Sequence, residues 1–170
     1  MRFTQWLSNR SMLEMKDSMR QLLSKYTPLV RELLQGIGVG DDMHDNQLLG
    51  YLYHVSGFSL PTDGPAMKKQ AEVMAKMVLQ KLVDEVVDDV IRKKFRDDPD
   101  LQQVAKRDKS VHLSGNFHDL VATIRIKNRS FGVDVEDRFD VKTLLDGYSS
   151  DLAEFIANVA TEMKTSRQSA

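Results

Sequence analysis

From Ala66 to Arg96 the chain runs without a glycine or a proline. Nothing in that stretch stops a helix once Pro65 has opened one at a first-turn position. At about 1.5 Å per residue the sequence predicts a helix on the order of 45 Å long, against a span of roughly 30 Å for a compact domain of this size. Its apolar residues come as pairs four positions apart: Met74/Ala75, Val78/Leu79, Leu82/Val83, Val86/Val87 and Val90/Ile91. A repeat of four, set against 3.6 residues per turn, rotates the apolar stripe by about 40° per step. One flat partner cannot cover a stripe that turns in this way. Different neighbours are therefore expected along the helix, or a second copy of the chain over one end. The candidate oligomer interface is Val86, Val87, Val90, Ile91 and Phe95. Strict heptads are absent, which argues against a two-stranded coiled coil.

The flanking segments read as shorter elements. Ser11 and Glu14 have capping-box spacing, and Met12, Met15, Met19, Leu22, Leu23 and Tyr26 follow as one stripe. Thr27-Pro28 is expected to break this helix and cap a second, with Leu29, Val30, Leu33, Leu34 and Ile37 on its buried face. The glycines in Gly36-Ile37-Gly38-Val39-Gly40 resemble half of a dinucleotide fingerprint. No strand precedes them and the third glycine is missing, so they read as a helix terminator. A short helix is expected from about Asn46 to Ser56. The loop Gly57 to Gly64 is the best hinge candidate, and could separate a helical lobe over 1–57 from a helix-sheet-helix lobe over 65–164. One α+β domain over 1–164 is expected, with 165–170 a frayed tail.

Beyond the long helix, Asp98-Pro99 predicts a cap and a helix to about Arg107. Period-two alternation then takes over. Val111 and Leu113 mark a short strand. Leu120, Ala122, Ile124 and Ile126 alternate with Val121, Thr123, Arg125 and Lys127, and Phe131, Val133 and Val135 alternate with Asp134, Glu136 and Arg138. This predicts an antiparallel hairpin over about 119–138, turning tightly near Asn128, with Ile126 opposite Phe131 and one face charged and wet. After Asp140 and Gly147, Leu152, Phe155, Ile156, Val159, Ala160 and Met163 make an amphipathic C-terminal helix. The fold class is α+β, mainly helical, with a small antiparallel sheet. The order helix, three strands, helix resembles that of the double-stranded RNA-binding domain. That domain's last helix opens on a basic cluster, whereas this one opens Asp140-Val141-Lys142-Thr143 and carries Asp146 and Asp151, so the chain is not placed in that family.

With 170 residues, 41% of them hydrophobic and 29% charged, the composition is that of a globular protein. There is no cysteine, hence no disulfide and no thiolate metal site. The opening Met1-Arg2-Phe3-Thr4-Gln5-Trp6-Leu7 is too polar for a signal peptide, and no membrane span is expected; the expected location is cytoplasmic. The net charge of −1 hides an uneven distribution. Residues 92–129 hold ten Lys/Arg against five Asp/Glu, and residues 130–163 hold two against eight.

Three patterns carry possible chemistry. Asp41, Asp42, His44 and Asp45 could ligate a cation, but lack the spacing of a calcium loop and suit a polar loop leading into a helix cap. His112, His118, Asp119, Asp134, Glu136, Asp140 and Lys142 suggest a metal-dependent nuclease, although Asp140 fits a helix cap and Asp134 and Glu136 fall on the wet face. The basic set Arg92, Lys93, Lys94, Arg96, Lys106, Arg107, Lys109, Arg125, Lys127 and Arg129 could meet phosphates or a protein partner. Phe117 and Phe131 are the only rings nearby for base stacking. The leading expectation is a non-enzymatic protein–protein interaction module: an oligomerising assembly factor, adaptor or inhibitor. The second is a nucleic-acid-binding accessory protein using residues 92–129, and the third the nuclease. No catalytic residue, cofactor, metal or small-molecule substrate is assigned. A protein partner or self-association is expected, with nucleic acid as the alternative.

Overall fold

A computed structural model describes residues 17–55 and 60–169. The Ser11/Glu14 capping box, the stripe positions Met12 and Met15, and Gly57 of the hinge candidate lie outside the described residues. The chain divides into two compact units, Met1–Leu79 and Gln80–Ala170. The division falls inside the long helix rather than at the loop before it.

In the first unit, α1 (Asp17–Gly36) runs unbroken with Pro28 inside it. The expected break at Thr27-Pro28 is corrected here. Proline removes one N–H and disfavours a helical residue before it. Against that, Leu23, Tyr26, Val30 and Leu34, on both sides of Pro28, are at most 1% exposed. Four large side chains on one stripe outweigh the loss of a single hydrogen bond. Thr27 Oγ1 donates to the Leu23 carbonyl at 3.1 Å, one turn back. The helix then ends as the glycine pattern predicts. Gly38 takes φ of 77°, its N–H reaches the Gln35 carbonyl, and the Val39 N–H reaches the Leu34 carbonyl at 2.9 Å. This is a Schellman closure, with Val39 and Leu34 both buried. Helix α2 (Asp45–Val55) packs against α1. The Tyr26 hydroxyl donates to the Pro61 carbonyl and fixes that part of the following loop.

The long helix α3 (Gly64–Lys94) is continuous. Within the first unit both members of the pairs Met74/Ala75 and Val78/Leu79 are buried. Within the second only one residue per four is buried, Val83, Val87, Ile91 and then Phe95, each at 0% exposure. The buried line advances by four from Leu79 onward, so it turns about the axis as the pairing predicts.

The second unit continues with α4 (Pro99–Asp108), where Asp98 accepts from the Leu101 N–H at 3.2 Å. An antiparallel sheet in the order β1-β2-β3 follows: β1 (Lys109–Ser114), β2 (Val121–Asn128) and β3 (Val133–Asp140). A single 3-10 turn, Phe117–Asp119, joins the first two strands. Gly115 before it has φ of 99°, and a Cβ there would lie 3.0 Å from the Asp119 carbonyl oxygen, so only glycine fits this turn.

The hairpin register differs from the expected one. Ile126 faces Val135, Ile124 faces Asp137 and Ala122 faces Phe139. The turn takes four residues, 129–132, because Asn128 Oδ1 accepts from the Phe131 N–H and Gly132 turns back at φ of 62°. The shift moves each partner by four residues. An even shift keeps every side chain on its face. Phe131 therefore belongs to the turn, and Phe139 fills the inner position. Helix α4 lies against β2, and α5 (Val141–Leu145) and α6 (Ser150–Ser169) lie against β3. On that inner face Leu113, Ala122, Ile124, Ile126, Val133 and Phe139 are buried, and Phe139 meets Phe155 of α6 edge to face, ring centroids 5.7 Å apart. Helix α6 continues to Ser169, with Lys164 bonded to both Asp97 carboxylate oxygens at 3.0 Å and Arg167 paired with Asp98. Among the described residues no helix is long and apolar enough to cross a membrane.

Candidate functional site

The opposite face of the sheet lies outside this core. The strand pairings set its side chains in cross-strand rows. Ser110, Arg125 and Glu136 form one row, His112, Thr123 and Arg138 the next, and Ser114, Val121 and Asp140 the third. These nine residues, with Gly115 and Phe139, line an open groove of about 760 Å³. Alternation dictates this arrangement, since every second residue of each strand must point away from the buried face. The sequence pattern placed Val121, Thr123, Arg125, Asp134, Glu136 and Arg138 on a wet face, and they are on it. It did not place Ser110 and His112 there, because a strand marked by only two apolar residues gives little register information.

The charges along the face are not equal in standing. Arg125 is clamped by Asp134, Nε to Oδ1 and a terminal guanidinium nitrogen to Oδ2, each at 2.9 Å. That bond holds the Asp134 carboxyl below its ordinary range and raises Arg125, to which Glu136, its row neighbour, adds a further attraction. Asp140 is engaged as the cap of α5, accepting from the Thr143 N–H at 3.0 Å and the Thr143 hydroxyl at 2.9 Å. The Arg138 side chain is exposed, and among the described residues no carboxylate pairs with its guanidinium.

The ten basic candidates do not form one cluster. Arg92, Lys93, Lys94 and Arg96 are exposed at the end of α3, with Arg92 paired to Asp89. Lys106 is half-buried on α4, and Arg107 binds Asp108, whose carboxyl that bond, together with one from Asn128 Nδ2 at 2.6 Å, holds low. Lys109 is mostly buried between Asp84 and Asp88 of α3, at 3.4 and 3.2 Å. Its approach to Asp88 Oδ1 is an ion pair without hydrogen-bond alignment. Of the ten, Arg125 and Lys127 share the open face, with Lys127 opposite Asp134, and Arg129 sits exposed in the turn. Of the apolar candidates, Val87, Ile91 and Phe95 have no exposed surface, while Val86 and Val90 are half-buried. Three of the five are therefore taken up by the chain's own packing.

Of the acidic candidates, Asp134, Glu136 and Asp140 share the outer face of β3. Asp119 is in the 3-10 turn and Lys142 on α5, while Asp134 and Asp140 are engaged as described. In the first unit Asp45 pairs with Arg31 at 2.7 Å, Arg31 also donates to the Gly40 carbonyl, and the His44 N–H donates to Gln47 Oε1. Among the described residues no three His, Cys, Asp or Glu side chains are grouped to hold a metal ion. No sequence family, no curated protein and no solved structure matches this chain significantly.

Proposed function

We propose that the chain is a non-enzymatic protein–protein interaction module, an assembly factor, adaptor or inhibitor, whose recognition surface is the open face of the β1-β2-β3 sheet. The observation that carries this reading is the groove of about 760 Å³ across all three strands, lined mostly by polar side chains, with half-buried Val121 in its third row. Three supporting facts narrow the choice of surface. The apolar residues Val87, Ile91 and Phe95 are already buried, so they offer nothing to a second copy. Four of the ten basic residues, Arg92, Arg107, Lys109 and Arg125, are engaged by the chain's own carboxylates. The groove is wide and open, whereas small-molecule sites enclose most of their ligand.

The test is copurification from the native host, with mass spectrometry and nucleic-acid sequencing on the same eluate. The expected result is a stoichiometric protein that is lost from a Thr123→Arg, Ser110→Arg double variant. A partner retained by that variant, or nucleic acid in its place, overturns the reading. The nucleic-acid alternative rests on exposed Lys93, Lys94 and Arg96 at the α3 terminus. Binding there should weaken steeply with salt. Its absence at low salt ends that alternative.

A further inference from the structure

The two edges of the sheet are treated differently. The Val141 N–H reaches the Leu120 carbonyl at 3.1 Å, one step beyond the Val121–Asp140 pair. Alternation from that bond turns the backbone N–H and C=O of Val135, Asp137 and Phe139 toward β2, and those of Asp134, Glu136, Arg138 and Asp140 outward. The same alternation turns Lys109, Val111 and Leu113 of β1 away from β2. The β1 edge is covered: the Val111 carbonyl accepts from Gln80 Nε2 of α3 at 2.8 Å, and the Lys109 side chain lies between Asp84 and Asp88. Among the described residues no strand pairs with the outer edge of β3. At the middle of that edge, Asp137 Oδ1 accepts from the outward Arg138 N–H at 2.8 Å. Asp137 is also out of pattern. It stands on the inner face, opposite Ile124 and between Val135 and Phe139, where alternation calls for an apolar residue, yet it is charged and exposed.

We propose that Asp137 bars this edge from pairing with the same edge of a second copy of the chain. An unpaired edge is a template for such pairing, and a charge at an inward-facing position is one device that blocks it. The sequence of β3 shows what is being blocked. Two β3 edges set antiparallel can place Glu136 of each copy opposite Arg138 of the other. The outward backbone groups then bond to each other, with two opposite-charge pairs arranged about the two-fold axis. On the axis itself Asp137 meets Asp137 in a pair that exchanges no hydrogen bond, with Cα atoms about 4.5 Å apart. Like charges directly opposite are destabilising. A slip of two residues in either direction removes that clash, but sets Glu136 against Glu136 or Arg138 against Arg138. Asp134 and Asp140, which meet at the ends of the favoured register, are already engaged by Arg125 and by the first turn of α5. The obstacle at the centre is Asp137. This inference is independent of what the outer face of the sheet binds.

Sedimentation equilibrium and amide hydrogen exchange on the full chain test this. Asp137→Val should double the weight-average mass relative to the parent chain at the same concentration. The Glu136 amide, which faces outward in the parent, should then exchange more slowly by about tenfold or more. Adding Arg138→Glu should return both mass and exchange to the parent's values, because carboxylates then face each other across the new contact. Adding Glu136→Arg to that double variant re-forms both pairs with their signs exchanged and should restore the doubled mass. Asp137→Lys keeps a charge on the axis and should behave as the parent does. Asp137→Thr, β-branched and uncharged, repeats the test if the valine variant misfolds. The proposal is overturned if folded Asp137→Val or Asp137→Thr keeps the parent's mass and Glu136 exchange. It is equally overturned if the association they show is indifferent to Arg138→Glu, since the contact would then lie elsewhere.

Discussion

In the first unit the segments between helices are held mainly by side chains reaching backbone carbonyls, Tyr26 to Pro61 and Arg31 to Gly40, with one ion pair, Arg31 to Asp45. In the second, ion pairs do much of that work: Lys109 to Asp84 and Asp88, Lys164 to Asp97, Arg167 to Asp98, Arg125 to Asp134. Helix α3 shows the same contrast along its length. Its first half buries adjacent pairs and leaves Val73 and Met77 about half exposed, and its second half buries single residues four apart and sets carboxylates beside them. A hydrogen bond to a carbonyl does not titrate and is little screened, whereas a surface ion pair does both. The two units should therefore answer differently to the same perturbation.

The largest effect is expected from the buried line of the second unit. Phe95→Ala, just past the end of α3, should cost about 3–5 kcal/mol in denaturant titration, while Val86→Ala, half-buried on α3, should cost no more than about 1 kcal/mol. Equal costs would mean that the line does not separate core from surface. An intermediate effect of opposite sign is expected in the first unit. Pro28 is exposed inside α1, so Pro28→Ala restores a helical N–H without disturbing a buried side chain and should stabilise by about 1–3 kcal/mol. A loss instead would show that α1 is shaped by its proline. The smallest effect is on acidification. Asp97, Asp108 and Asp134 are all held below the ordinary carboxylate range, by Lys164, Arg107 and Arg125 respectively. A depressed folded value contributes stability above the unfolded pKa of about 3.9, and that contribution is lost as pH falls through the lower folded value. Circular dichroism below about pH 4, read beside residue-level NMR, should show the second unit loosening first, and 0.5 M salt should reduce the difference.

How much of this was legible depends on which signal each part leaves in the sequence. Long periodicity is loud, so α3, the rotating stripe and the C-terminal helix could be read directly. Alternation fixed which residues of β2 and β3 face outward, and the even register shift left those faces intact. Register itself was hidden, because Phe131 and Phe139 both suit an inner position and only the Asn128 and Gly132 turn geometry decides between them. The proline in α1 was misread because local propensity points one way and tertiary burial the other. The row His112, Thr123, Arg138 was invisible for a further reason. Its members come from three strands and are brought together only by pairing.

The buried line of α3 has a consequence for how its length can change. Within the second unit, a one-residue insertion after Val87 would turn Ile91 and Phe95 by about 100° away from the side that holds Val83 and Val87. An insertion of four would turn them by about 40°, the same increment the line already makes at each of its own steps. The helix thus has a grammar of length, in which four or seven residues can be added with the later positions kept within about 40° of their side, whereas one or two swing them off it.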